Sequence, residues 1–222
     1  MGRALTAALT KIGTTVVGPV RRNEPIRGDL VLFAVPDREI AAAAAGAPSD
    51  AIVGHTAGAM TLDVLAPREA FSLHPLMTAS PGRAEFAGAS AAVAGSTPRA
   101  LEIARAIATR LSMEPLEIPD SRRAAYHAAA SIAANFLVTL ESMAARVGAA
   151  GGLERRHLLP LARAAMENWG ALGPAALTGP IARGDNETVS QNRAAVQAAA
   201  PELLAAWDAM AAATAALARD GK

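Results

Sequence analysis

The chain has 222 residues, of which 52% are hydrophobic and 18% charged, with a formal net charge of +1. That supplies a core for one large domain or two small ones, and the near-neutral balance argues against a dedicated basic nucleic-acid binder. Cysteine is absent, which excludes a disulfide framework, thiolate catalysis and a thiolate metal site.

No uninterrupted apolar run reaches the ~18–20 residues that span a bilayer. The first stretch, Met1–Lys11, is amphipathic with a helical pattern and lacks a signal-peptide core. A cytoplasmic protein without membrane association is expected. A helix over about Gly2–Ile12 precedes the β-branched run Thr14–Val17. Asp29–Val35 is a continuous apolar run stopped by Pro36, the pattern of a strand buried on both faces. An alanine-rich helix runs from Asp37 to near Gly46, followed by a second buried strand at Ala51–Thr56 and a short helix at Met60–Leu65. Strands are expected at Ala70–His74 and Ser90–Ala94. Thr97 and Pro98 form an N-cap with proline at the first helical position, opening a helix to about Leu111, and Pro115–Ile118 is a last strand. Strands alternating with helices imply parallel βαβ units and an open α/β sheet.

From Pro119 the apolar period becomes 3.6, with helices expected over about 121–147, 154–170, 186–199 and 201–219. The sequence therefore divides near Pro119-Asp120, into residues 1–118 and 119–222. On the first long helix, at about 100° per residue, His127, Ser131 and Asn135 share one stripe, and Ile132, Phe136, Leu140 and Met143 another. No charged residue occurs between Arg123 and Glu141. A helix with one apolar face and one uncharged polar face is expected to meet protein on both sides.

An open α/β sheet binds ligands beyond the carboxyl ends of its strands. Val35-Pro36-Asp37, His55–Ala59 and Ser72–Leu76 all fall at such ends. At the N-terminus, Met1-Gly2-Arg3 looks like the second half of a Gly-x-Gly-x-x-Gly fingerprint with Gly2 as its third glycine; the preceding strand and first two glycines are not in the sequence. The ribose-reading position lies about 20 residues further on and carries Arg21-Arg22, which favours a 2′-phosphate and hence NADP over NAD. In the helical half, Leu177–Asp185 combines Gly179 and Gly184 with Pro180, Arg183 and Asp185, and reads either as a helix-capping loop or as a ligand-binding one. Lysine occurs only at Lys11 and Lys222, which argues against Schiff-base chemistry. The four histidines, His55, His74, His127 and His157, are too widely spaced for a metal-ligand set, and no metal is expected.

Phe33–Asp37, His55–Ala59, Ser72–Leu76, Tyr126–Ala130 through Asn135, and Leu177–Pro180 with Arg183–Asp185 recur together. In that order they resemble a bacterial family of NADP oxidoreductases joining an N-terminal Rossmann-like domain to a C-terminal helical domain of unknown function. The family is similar to pyrroline-5-carboxylate reductase and to the 6-phosphogluconate and β-hydroxyacid dehydrogenases. The resemblance implies an NAD(P)-binding domain over residues 1–118, incomplete at its N-terminus, and a helical dimerisation or substrate domain over 119–222. It further implies a homodimer through the helical domain and a cleft between the domains. Relative to it the first strand and Gly-x-Gly are missing, suggesting a start assigned too far downstream or a fragment, with a gap between the second and fourth strands. The dehydrogenases' helix lysine is also missing, so a lysine mechanism does not carry over.

The leading reading is an NADP(H)-dependent oxidoreductase acting on a small carbonyl, imine or hydroxy-acid substrate. Gly2, Arg21, Arg22, Val35, Pro36, Thr56 and Gly58 are the candidate cofactor contacts. His127 is the candidate acid or base, with His74 able to serve in its place and Asn135 orienting the substrate. Ser131, Thr178, Gly179 and Arg183 are candidate substrate contacts, Arg183 as a carboxylate clamp. The alternatives are a non-catalytic dinucleotide-binding regulatory or scaffold protein, and a truncated form that binds no cofactor.

Overall fold

The computed structural model describes residues 1–78 and 84–220. Helix α1 (Gly2–Lys11) leads by an irregular stretch to strand β1 (Leu30–Phe33) and, past a short turn of 3₁₀ helix, to α2 (Ile40–Ala44). Strands β2 (Ile52–His55), β3 (Ala70–Leu76) and β4 (Ser90–Gly95) follow, then helix α3 (Pro98–Arg110) and β5 (Glu114–Glu117). The five strands form one sheet in the order β1-β2-β3-β4-β5. The fold is thus a Rossmann-like α/β sheet followed by an all-helical region.

Three of the four strand pairings are parallel, and β3–β4 is antiparallel. The reason is local: the described residues between β3 and β4 contain no helix, and a parallel return needs a crossover, usually helical. The Thr14–Val17 run forms no strand. β1 is an edge strand whose outer side is left unpaired, and the five strands follow one another in the sheet without a break.

Alternation along the strands sends side chains to two cores. Phe71, Leu73, Ala91 and Val93 face α1 through Leu5 and α3 through Ala100, Ala104 and Ala108, spaced four apart on one helix face. Val31, Phe33, Val53 and Ala70 face the other side, against Ile40, Ala44 and Leu65. Glycine permits two of the closest approaches. A Cβ on Gly54 would fall 2.4 Å from the Phe71 ring, and one on Gly95 2.2 Å from the backbone nitrogen of Leu101. Helix α3 begins as its sequence indicates: Thr97 Oγ1 accepts from the Ala100 N–H at 3.1 Å.

A turn at Asp120–Arg122 opens α4 (Arg123–Ser131), which passes through a π-helical turn at Ile132–Phe136 into α5 (Leu137–Ala149). Two compact units divide at Ala134/Asn135, inside this helix and not at Pro119. The later division follows from packing: Arg123 is 1% exposed and its guanidinium reaches Ser72 on β3, tying α4 to the sheet. By length and composition the run Asp120–Ala149 is apolar enough to cross a membrane. Alanines raise its average apolarity although no uninterrupted run does. It nevertheless starts on a buried, ion-paired arginine, as a helix packed on protein does. Its apolar stripe is exposed, with Ile132 and Phe136 both 58% accessible, contrary to the expectation of protein on both sides. Asn135 lies within the π turn and is exposed.

The second unit continues with α6 (Arg155–Leu172), α7 (Pro180–Arg183), α8 (Asn186–Ala199) and α9 (Leu204–Asp220). Glu154 and His157 cap α6 reciprocally, which gives His157 a structural role. Asp185 caps α8, accepting from the Thr188 N–H at 3.1 Å and its hydroxyl at 2.7 Å.

Candidate active site

His55 on β2 lies opposite Ser72 on β3 in the parallel register. Two residues on, His74 points from the same face as Ser72. Across from them α4 presents Arg123, Tyr126 and His127, three and four residues apart and hence on one helix face. These residues all belong to the first unit, and they converge.

Arg123 anchors the group. Its Nε donates to Asp120 Oδ1 at 2.9 Å, and its Nη2 donates to the Ser72 hydroxyl. The Tyr126 hydroxyl and His74 Nδ1 are 2.7 Å apart, with the two rings edge to face at 5.6 Å. The His74 and His127 ring centroids are 6.1 Å apart. Gly58, in the loop after β2, closes the other side: a Cβ there would lie 2.6 Å from His127 Cδ2 and 2.9 Å from His74 Nε2. A glycine is therefore what leaves the two imidazoles accessible to each other.

Burial first, then His127 and Arg123, hold His74 down at about 4, so it is neutral at pH 7. Burial pushes the Tyr126 phenol up to about 12, so it keeps its proton. His55 is wholly buried, and burial followed by the Arg123 charge lowers it below the usual imidazole range. Its Nε2 lies 3.4 Å from the Thr61 carbonyl. Among the described residues, His55 Nδ1 and Arg123 Nη1 are buried side-chain nitrogens with no hydrogen-bond partner. Such a cluster can hold a neutral imidazole as a hydrogen-bond donor and an exposed imidazole for proton exchange.

The structure brings His74, His127 and Gly58 together. Thr56 follows β2, with its N–H donating to the Phe33 carbonyl at 3.0 Å. Val35 and Pro36 are exposed beyond β1. Gly2 opens α1, where a Cβ would meet the Ala34 Cβ at 3.2 Å. Arg21 and Arg22 sit in an exposed turn; Arg22 is 75% exposed and pairs with Glu39 at 2.6 Å. Ser131 is half-buried on α4, whereas Asn135 is exposed on the π turn and belongs to the second unit. Thr178, Gly179 and Arg183 are also in the second unit, the first two just before α7 and Arg183 at its end, where the flanking Gly179 and Gly184 have φ of 97° and 74°.

Arg123, Tyr126 and Ser72 are absent from the sequence candidates. Tyr126 is the sole tyrosine in the chain, and its place beside His127 was a usable signal. Arg123 reads in sequence as an ordinary helix-start charge; only the spacing Ser-x-His on β3 against Arg-x-x-Tyr-His on α4 hints at the pairing.

Among solved structures, the fold matches the putative NADP oxidoreductase BF3122 from Bacteroides fragilis with a TM-score of 0.83 at 19% identity, covering 96% of this chain and 92% of that one. Protein TM1727 from Thermotoga maritima matches with a TM-score of 0.77 at 26% identity, over 87% of this chain and 81% of that one. A Plasmodium falciparum pyrroline carboxylate reductase with NADP bound matches with a TM-score of 0.59 at 12% identity, over 98% and 94%. No curated protein matches the sequence. Residues 89–214, more than half of the chain, match a family defined by a domain of unknown function (DUF2520), and the chain belongs to that family.

Proposed function

We propose that this protein is an NADP(H)-dependent oxidoreductase acting on a small carbonyl, imine or hydroxy-acid substrate. The observation that carries this reading is the His74–Tyr126–His127 cluster beside Gly58, at the carboxyl end of β3 where open α/β sheets take their ligands. The names of the Bacteroides and Plasmodium proteins support a nicotinamide cofactor.

The residues present fit parts of that cofactor. A Cβ on Gly2 would crowd the Ala34 Cβ just past β1, the close approach of helix to strand end that a dinucleotide-binding helix needs, and the first turn of α1 carries no acidic residue to repel a pyrophosphate. Arg21 and Arg22 would hold a 2′-phosphate. Val35, Pro36, Thr56 and Gly58 would border the nicotinamide. When bound, that ring supplies or accepts a hydride.

We assign the Tyr126 phenol as the donor to His74 Nδ1, the orientation in which the neutral ring carries its proton on Nε2. That N–H, facing the gap bounded by Gly58 and His127, polarises a substrate oxygen or nitrogen. A group held near 4 is a poor proton shuttle at neutral pH. The transferred proton is therefore assigned to His127, which is exposed on α4. Ser131, one turn further along, is assigned a substrate contact. Asn135, Thr178, Gly179 and Arg183, all on the second unit, remain proposed ligand contacts of that unit, with Arg183 able to pair a carboxylate. The exposed apolar residues of that unit are proposed as a homodimer surface, and the cytoplasm as the location, in keeping with the absence of cysteine.

The test is NADPH consumption across a panel of imines, 2-keto acids and aldehydes. The proposal expects turnover with at least one class, reduced ~10²–10⁴-fold by His127→Ala, the range for loss of a general acid or base. Saturable NADPH binding with no consumption would favour a dinucleotide-responsive regulatory or scaffold protein. No binding at all would favour a form that takes no cofactor.

A further inference from the structure

The least expected group in the first unit is a guanidinium held almost wholly out of water. Arg123 is 1% exposed, shares its charge with an Asp120 carboxylate that is 43% exposed, and leaves Nη1 without a protein partner. A buried ion is weak evidence for stability, because desolvation offsets much of what pairing returns. What Arg123 does have is geometric leverage. Its Nη2 bonds Ser72, two residues before His74 on the same face of β3. On α4 it stands three and four residues before Tyr126 and His127. A single contact from the start of α4 to the body of β3 therefore constrains both the rotation of α4 and its height against β3.

We infer that Arg123 is a positioning residue. Its bond to Ser72 sets the register between α4 and β3 that brings the Tyr126 hydroxyl onto His74 and His127 beside Gly58. The planar guanidinium fork suits this role, because Nε and Nη2 fix two directions at once, toward Asp120 and toward Ser72. A lysine ammonium is a point charge on a flexible stem and fixes neither. Among the described contacts, the Tyr126–His74 bond reads this register most directly, since a shift of about 1 Å takes a 2.7 Å pair out of hydrogen-bonding range. The functional consequence rests on the oxidoreductase reading above; the structural claim does not.

Two substitutions separate these claims. Arg123→Lys keeps the positive charge and loses the fork, and Ser72→Ala keeps the arginine and removes its acceptor. In each full-length variant, nuclear magnetic resonance follows the side-chain carbon bearing the Tyr126 hydroxyl, which is unambiguous because the chain has one tyrosine. The ring nitrogens of His74 are titrated in parallel. Both variants are expected to fold, to move the tyrosine signal toward that of a free phenol, and to raise the His74 titration from about 4 toward the ordinary value. NADPH turnover should fall on the order of 10²-fold, chiefly in kcat. If Arg123→Lys leaves both signals in place, the residue supplies charge and not register, and the inference is overturned. If Ser72→Ala folds and leaves both in place, the inference is overturned as well. Signals that move in a protein showing no NADPH turnover even in the parent chain uphold the positioning role and sink only the oxidoreductase reading.

Discussion

Burial removes an imidazole's charge before it removes its hydrogen bonds, and His74 is a case of this. Held near 4 by desolvation, His127 and Arg123, it stays neutral while Tyr126 orients its ring. The unfolded chain accepts a proton at the ordinary 6.5, so the folded state loses ground as pH falls. The contribution from His74 is complete above about 6.5 and is lost as pH falls through about 4. Urea midpoints measured at steps between about pH 7 and pH 4 should therefore fall, and His74→Asn should flatten that part of the slope. Gly58 carries a second consequence at this scale. Its missing Cβ is the space between His74 and His127, so Gly58→Ala should reduce turnover ~10²-fold by displacing one ring, with a far-ultraviolet circular dichroism spectrum like that of the parent chain. His74, His127 and Gly58 are legible in the sequence, because strand ends of an α/β sheet and an uncharged helix stripe announce themselves locally. Ser72 and Arg123 are not: their meaning is a contact between residues 51 positions apart, which no local pattern encodes.

At the scale of elements, the signals that worked were those enforced by backbone chemistry. Thr97-Pro98 gives α3 its start, and the apolar runs at Leu30–Phe33 and Ile52–His55 give parallel strands, the second buried on both faces and the first, at the sheet edge, only on alternate residues. Thr14–Val17 shows the limit: β-branched residues fit a strand only in the right packing context, and this run stays outside the sheet although β1 leaves an open edge. The antiparallel β3–β4 pairing was invisible for a similar reason, since strand direction is set by the connection and not by the strand. The same distinction between adjustable and fixed neighbours predicts two stabilities. Thr97→Ala should cost ~1 kcal/mol for the lost cap. Gly95→Ala should cost more, at least ~1–3 kcal/mol, because its Cβ would meet the Leu101 backbone, which has no rotamer to yield. Denaturant titrations of the two variants should rank them in that order.

For the whole molecule, the sequence indicates the change from an α/β region to a helical one, but the compact units divide at Ala134/Asn135 instead of Pro119. Periodicity marks where helices begin, whereas the division depends on what each turn packs against, and Arg123 commits the start of α4 to the sheet. The second unit displays large apolar side chains to solvent, among them Val138, Leu161, Trp169 and Leu172, with Trp169 68% exposed. Apolar exposure on this scale marks an interaction surface, here proposed as the homodimer contact. Sedimentation should give about twice the 22.5 kDa chain mass, and Leu161→Glu combined with Trp169→Glu should return it to a monomer with its helix content intact.

The central claim is an NADPH-consuming protein whose proton passes through His127. The most direct measurement compares NADPH oxidation by the parent chain and by His127→Ala, with the substrate class that gives the highest rate. The predicted result is measurable turnover in the parent chain and a ~10²–10⁴-fold loss in the variant with NADPH affinity retained. An equal rate in the two proteins would contradict the assignment of the proton to His127. A parent chain that binds NADPH and never consumes it would contradict the proposed activity itself.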